Sequence, residues 1–272
     1  MLDTVEVRNP QGSLLRLPLQ NSISGVYIET IDGLDPVKAT LVSSSFAGLD
    51  GEQYQSSRRE QRNIIAKLIL DPDYSVDSVE SLRLRMYSFF MPKSEVNLRF
   101  IMSHGLVVDI DGRVETCQAP IFTQEPALDL SILCFDSNFY GSEILLSGNT
   151  VSSEVESTIS YAGSIESGFV FTLMPNRAIN DFTVYNRLPD GTLRAMDFSA
   201  PMLSGDVLTI STIPGNKYAV LNRGGTESSV LYGLSAFANW LRLYPGDNHM
   251  RIYAEGAGVP YTIRYTDKYG GL

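Results

Sequence analysis

The sequence predicts a mainly β protein built as two unequal β domains, the first carrying a single helix. Three observations predict it. Short runs of alternating apolar and polar residues recur along the chain. Gly, Pro, Asn and Asp turn signals separate them at intervals of about 8–12 residues, the spacing of sandwiches and barrels. One stretch alone has apolar residues at helical spacing, and it lies in the first half. The composition also shifts near Tyr140, where Ser, Glu and Gly dominate from Gly141 to Glu156. With 272 residues, 43% of them apolar, the chain can bury a sizeable core in one large or two ordinary domains. The expected domains are therefore 1–140 and 141–272.

The elements follow in order. Arg62 to Leu70, rich in Ile and Leu, reads as a strand. Val79, Leu82, Met86, Phe89 and Phe90 then fall on one face of a helix expected over 77–90. Asp77 is its expected N-cap, with Glu80 three residues on, as in a capping box, and Pro92 cannot continue it. Arg83 and Arg85 lie on the opposite face. Val96 to Ile101 alternates. Leu106 to Ile110 and Arg113 to Thr116 flank Asp111-Gly112, which predicts a two-residue hairpin because both positions tolerate positive φ. Strands are next expected at Leu130–Phe135, Ser167–Leu173, Asp181–Asn186, Val207–Ser211, Tyr218–Leu221, His249–Ala254 and Val259–Tyr265. Turns at Pro189-Asp-Gly191, Pro214-Gly-Asn216 and Pro245-Gly-Asp-Asn248 punctuate them.

Lys and Arg number 21 against 31 Asp and Glu, a formal net charge of −10. Affinity for nucleic acid comes largely from cations that displace counterions from the phosphates, so this balance argues against general binding to nucleic acid or to an anionic membrane. The densest apolar run, Ile64 to Leu70, contains Lys67 and falls far short of the roughly 20 residues of a membrane span. The N-terminus lacks the basic start and apolar run of a signal peptide. Cys117 and Cys134 are too few for a disulfide framework and read as free, partly buried thiols of a protein folded in a reducing cytoplasm, a single bridge or a metal pair being the alternatives.

Chemistry is sparse. The two histidines, His104 and His249, stand at a loop or strand edge and after a turn, and read as surface or strand-end residues. There is no Gly-x-Ser-x-Gly elbow and no Gly-Lys-Ser/Thr phosphate loop. Gly256-Ala-Gly258 precedes a strand rather than a helix. Asp109-Ile-Asp111-Gly112 resembles the start of a calcium loop, but Arg113 and Val114 stand where that loop needs a ligand and its glycine. No catalytic residue, cofactor or metal site is expected. The cluster Arg58-Arg59-Glu60-Gln61-Arg62 is the one dense basic patch. It reads as a solvated or ion-paired strand start, as a subunit contact, or as a nucleic-acid contact. Trp240, within Ala236 to Tyr244, reads as a strand residue that is either core packing or a ligand-stacking platform.

The order of several short motifs carries a resemblance. They are Ile31-Asp-Gly-Leu-Asp-Pro-Val-Lys-Ala39, Leu49-Asp-Gly51, Tyr54-Gln-Ser-Ser-Arg58, Arg62-Asn-Ile-Ile65, the capped helix with Phe89-Phe-Met-Pro92, and Leu130 through Tyr140. Trp240-Leu-Arg-Leu-Tyr-Pro-Gly-Asp-Asn248 and the final Tyr265 to Leu272 complete them. In this order they resemble the distal tail (Dit) proteins of long-tailed bacteriophages. A contractile-tail baseplate relative is an alternative.

The resemblance implies a structural virion protein of the tail tip, made and assembled in the bacterial host cytoplasm. Its N-terminal β-sandwich or barrel-like domain would form a hexameric ring that joins the tail tube protein to the tail hub. Its C-terminal galectin-like β-sandwich would hold receptor-binding or fibre proteins. The ring would surround the DNA path without specific nucleic-acid binding and without membrane insertion. Tyr54, Arg58, Arg62 and Asn63, where a loop leads into a strand, are the candidate subunit contacts, since Arg can pair bidentately with a neighbour's carboxylate. The alternative function is a carbohydrate-binding, lectin-like module of a tail or cell-surface assembly. Against it, Trp240 is followed by Leu-Arg-Leu and no His-Asn-Pro-Arg segment exists. A glycoside hydrolase is the third reading, and 31 acidic residues single out no catalytic pair.

Overall fold

The structure is a computed structural model and describes residues 1–19, 25–48, 50–120 and 125–272. Leu49, part of one quoted motif, lies outside the described residues. The chain divides into two compact units, Met1–Gly141 with Tyr269–Leu272, and Ser142–Lys268. The last four residues thus belong with the first unit, whereas the sequence places 141–272 together.

The first unit holds β1 (Leu2–Arg8), β2 (Leu14–Pro18), β3 (Val26–Asp32), β4 (Ala39–Ser44), β5 (Gln53–Arg59), β6 (Arg62–Leu70), α1 (Val79–Phe90), β7 (Glu95–Met102), β8 (Val107–Gln118), β9 (Ala127–Cys134) and the start of β10 (Phe139–Asn149). Its main sheet is antiparallel in the order β2-β1-β7-β8-β9-β6-β3. A parallel bridge from Leu19 to Ile28 brings the chain after β2 against β3, so the two ends of this order meet. Strand alternation sends Val5, Val7, Leu98, Phe100, Val108, Ile110, Ile64 and Leu68 into one core.

The outward face carries charges in register. Glu6 stands beside Arg16 and Arg99, and Arg99 beside Asp109. Arg16 Nε donates to Glu6 at 2.8 Å, and Arg99 binds Asp109 bidentately at 2.8 and 3.0 Å. Opposite charges placed directly across neighbouring strands favour this register, since like charges would meet after a slip.

The helix begins one residue later than the sequence suggests. Ser78 is the N-cap, and it exchanges bonds with Ser81: its Oγ accepts the Ser81 N–H at 3.2 Å while Ser81 Oγ accepts the Ser78 N–H at 3.0 Å. Asp77 instead accepts the Ser81 hydroxyl at 2.9 Å. Ser and Asp are near-equal caps, so composition alone did not separate them. Leu82, Met86, Phe89 and Phe90 are buried, as their spacing requires. The helix stops at Met91, which is extended because Pro92 disfavours helical backbone before it.

The expected Asp111-Gly112 hairpin does not exist. β8 runs straight through it, and the real β7–β8 turn lies at Ser103 to Gly105, with Gly105 at φ +92°. Gly112 is there for closeness: a Cβ would lie 2.5 Å from Ile132 Cγ2 and 3.0 Å from Cys134 Sγ. Packing against β9 therefore decides the conformation, over the local turn signal.

The second unit holds the rest of β10, β11 (Ser157–Tyr161), β12 (Phe169–Leu173), β13 (Ile179–Arg187), β14 (Leu193–Met202), β15 (Val207–Ser211), β16 (Tyr218–Arg223), β17 (Thr226–Ser229), β18 (Gly246–Tyr253) and β19 (Pro260–Tyr269). Two antiparallel sheets form, β17-β16-β15-β12-β19-β10 and β11-β18-β13-β14. Aromatic rings join them: Phe171 of the first sheet lies 5.5 Å from Phe182 of the second, which stacks on Phe198 at 5.2 Å. The result is a β-sandwich with its core between the sheets. Residues 236–242 form no strand, against expectation. Trp240 is half-buried beside the core, with Lys217 Nζ 5.1 Å from its ring centroid. No helix among the described residues is long and apolar enough to cross a membrane.

Candidate assembly surface

The chain between β3 and β6 leaves the main sheet as a two-stranded ribbon. β4 and β5 pair from Ala39↔Arg59 to Ser44↔Gln53, with a bulge at Val42–Ser43. Every residue of β5 is exposed. The ribbon is stitched by its polar side chains. Thr40 Oγ1 donates to Glu60 at 2.7 Å, Gln55 Nε2 to Ser44 Oγ at 2.7 Å, and the Ser43 hydroxyl to Glu52. It nevertheless shows apolar surface: Leu41, Val42, Phe46 and Tyr54 are all exposed. An isolated two-stranded hairpin is marginal in water.

The four residues singled out by sequence separate into two environments. Tyr54 and Arg58 lie on this ribbon. Tyr54 is 61% exposed and its hydroxyl pairs with Ser57 Oγ at 2.7 Å. Asn63 is exposed on β6 and accepts a bond from Ser131 Oγ at 3.0 Å. Arg62 is 1% exposed and has no outward face. Neighbours on a strand point to opposite sides, so Arg62 and Asn63 cannot share a surface. The expectation of Arg62 as a subunit contact is corrected by this burial.

Arg62 is an internal staple. Its Nε donates to Ser137 O at 3.0 Å, Nη1 to Asp35 O at 2.7 Å and to Gly33 O, and Nη2 to Gly270 O at 2.6 Å. The guanidinium lies 4.2 Å from the Phe139 ring centroid. One side chain thus ties the β3 exit, the β9–β10 loop and the C-terminal segment. Burial lowers its pKa, but from so high a starting value that the group stays charged. Each contact is prepared locally. Gly33 sits at φ +87°, and a Cβ there would lie 2.0 Å from Asn63 O, so only glycine brings this turn close enough. Asp136 shapes the β9–β10 loop by accepting the Asn138 N–H at 3.0 Å, its Nδ2 at 2.7 Å and the Tyr140 hydroxyl. Leu272 N–H donates to Leu34 O at 3.0 Å, holding the terminus beside Asp35 and Pro36.

The thiols are inert. Both cysteines are free; burial pushes Cys117 up to about 11 and Cys134 up to about 12, so neither is a nucleophile at neutral pH. His249 Nδ1 lies 3.0 Å from Thr158 Oγ1, an ordinary strand-face contact.

Residues 162–269 match the model of the family described as "Siphovirus-type tail component, C-terminal domain". That stretch, most of the second unit, is similar to this tail-component domain. The fold of the chain is similar to that of a solved structure, the SPP1 Dit protein, described as a paradigm of the hub adsorption apparatus in phages that infect Gram-positive bacteria. Sequence identity is 13%, the TM-score is 0.66, and 97% of this chain covers 98% of that one. The phage P2 baseplate in its activated conformation with calcium also aligns, at 13% identity over 97% and 98% of the two chains, with a TM-score of 0.46. No curated protein matches the sequence. The match of residues 162–269 supports a structural role in a phage tail.

Proposed function

We propose that this chain forms a hexameric ring at the distal end of the phage tail, joining tail tube to tail hub and holding receptor-binding or fibre proteins. The reading is carried by the likeness to the SPP1 Dit protein along nearly the whole of both chains. In this reading the N-terminal domain builds the ring and the C-terminal sandwich faces outward to the adhesion proteins. The protein acts by geometry, without catalysis or cofactor. Its place is the virion tail tip, after synthesis in the host cytoplasm. A net charge of −10 suits a ring through which DNA slides, because a lumen that bound phosphates tightly would retain it.

A ring needs two different surfaces on each subunit that meet with closure. The β4–β5 ribbon supplies one. Its apolar residues and Tyr54 would be covered by the neighbour, with Arg58 pairing a carboxylate there and Asn63 at the margin. The double variant Tyr54→Ala/Arg58→Glu tests this. Both side chains are exposed, so the melting temperature should move by no more than about 2 °C. Sedimentation should show the variant shifted from ring to monomer. A variant that sediments as the same ring as wild type would remove the ribbon from the interface.

A further inference from the structure

The second unit carries a groove that the tail-hub reading does not use. On the outer face of its four-stranded sheet, the register sets Tyr253, Thr183 and Asp197 side by side across β18, β13 and β14. The chain at residues 231–235 then runs along the free edge of β14. Leu234 bridges to Phe198, and the Ser235 N–H donates to Asp197 O at 3.1 Å. Gly233 packs so closely on the Phe198 ring that a Cβ would lie 2.8 Å from it. This strap adds Tyr232, Gly233, Leu234 and Ser235 to the lining of a groove. Three inter-strand steps separate the strap from β18, about 14 Å at ordinary strand spacing. The open groove between has a volume of about 490 Å³, within the range of small-molecule sites.

The lining has a consistent chemistry. Tyr232 is 77% exposed and Tyr253 37%, and both line the groove. Thr183 Oγ1 donates to Asp197 Oδ1 at 2.8 Å, which orients that carboxylate. Asp181, Ser199 and Ser235 add further oxygens. Aromatic faces stack on apolar C–H surface, and carboxylates accept from hydroxyl pairs. No Lys, Arg or His lines the groove, so a phosphate or other anion would meet Asp181 and Asp197 unopposed. Among the described residues, no group of three or more His, Cys, Asp or Glu could hold a metal ion.

We propose that this groove binds a neutral saccharide, gripped between Tyr232 and Tyr253 with its hydroxyls on Asp181, Thr183 and Asp197. The site lies apart from Trp240, where sequence placed the candidate platform. It concerns the second unit alone and does not depend on the ring proposal. The test is an array of neutral and anionic oligosaccharides of glucose, galactose, rhamnose and N-acetylhexosamines, probed with the full chain. Titration calorimetry with the best neutral glycan follows. Binding to neutral glycans is expected, weakened about tenfold or more by Tyr232→Ala and by Asp197→Asn, with the melting temperature unchanged. Tyr54→Ala/Arg58→Glu should bind as wild type. Absence of neutral binding, preference for anionic glycans, or affinity indifferent to both groove substitutions would each overturn the proposal.

Discussion

Arg62→Met is expected to destabilise the first unit by about 3–5 kcal/mol, the usual loss when one partner is deleted from a buried charged network. Met keeps the length and apolar stem of the side chain but none of its donors. Four carbonyls, those of Gly33, Asp35, Ser137 and Gly270, then lose the Arg62 donor in a place with little water. A buried acceptor that loses its donor costs about 1–3 kcal/mol before relaxation, and relaxation is shared because the four face one centre. Calorimetry should show the transition of the first unit falling by about 10 °C or more, with that of the second unit in place. Arg62→Lys keeps the charge, yet one ammonium cannot replace a planar fork with five N–H donors, so it should fall between Met and wild type. A drop below about 3 °C for Met would mean that water replaces the staple.

Ending the chain after Lys268 is the second large effect. It removes Tyr269–Leu272, which belong to the first unit although the second unit separates them from it in sequence. Lost with them are the Gly270 acceptor, the Leu272 N–H to Leu34 O bond, and the packing of Tyr269 and Leu272 on the first core. The expected loss is about 2–4 kcal/mol, from an unpaired charged donor and re-exposed apolar surface. Limited proteolysis should cut the truncated first unit faster at equal temperature, while the second unit resists as before. Combined with Arg62→Met, truncation should add less than its own effect, since both break one network. Full additivity would show that the segment is held by other contacts.

The fold class was legible because period-2 burial dominates. β6, β7, β9 and the second-unit strands β12, β13, β15, β16, β18 and β19 lie where alternation puts them. The same alternation contained the Arg62 result. Ile64, Ala66, Leu68 and Leu70 are all buried, and stepping back by two from Ile64 lands on Arg62. A charge alone suggests an outward side chain, although an Arg facing a ring of carbonyls can be buried. Gly112 departs from its local turn signal for a different reason. Its environment is the side chains of Ile132 and Cys134, more than 15 residues away in sequence, and no local pattern reports them. The β4–β5 ribbon lacks alternation because neither face of β5 is buried, so its strand form was invisible while its candidate residues, Tyr54 and Arg58, were visible. The saccharide groove was illegible too, since it joins β13, β14, β18 and a strap through long-range pairing.

In the proposed function this chain assembles into a ring at the tail tip. The most direct measurement is the mass of the purified protein in solution, taken with electron micrographs of the same sample, alone and mixed with tail tube or hub protein. Six copies in a closed ring with a central channel are expected. A stable monomer at every concentration and salt, with no ring after either partner is added, would contradict it.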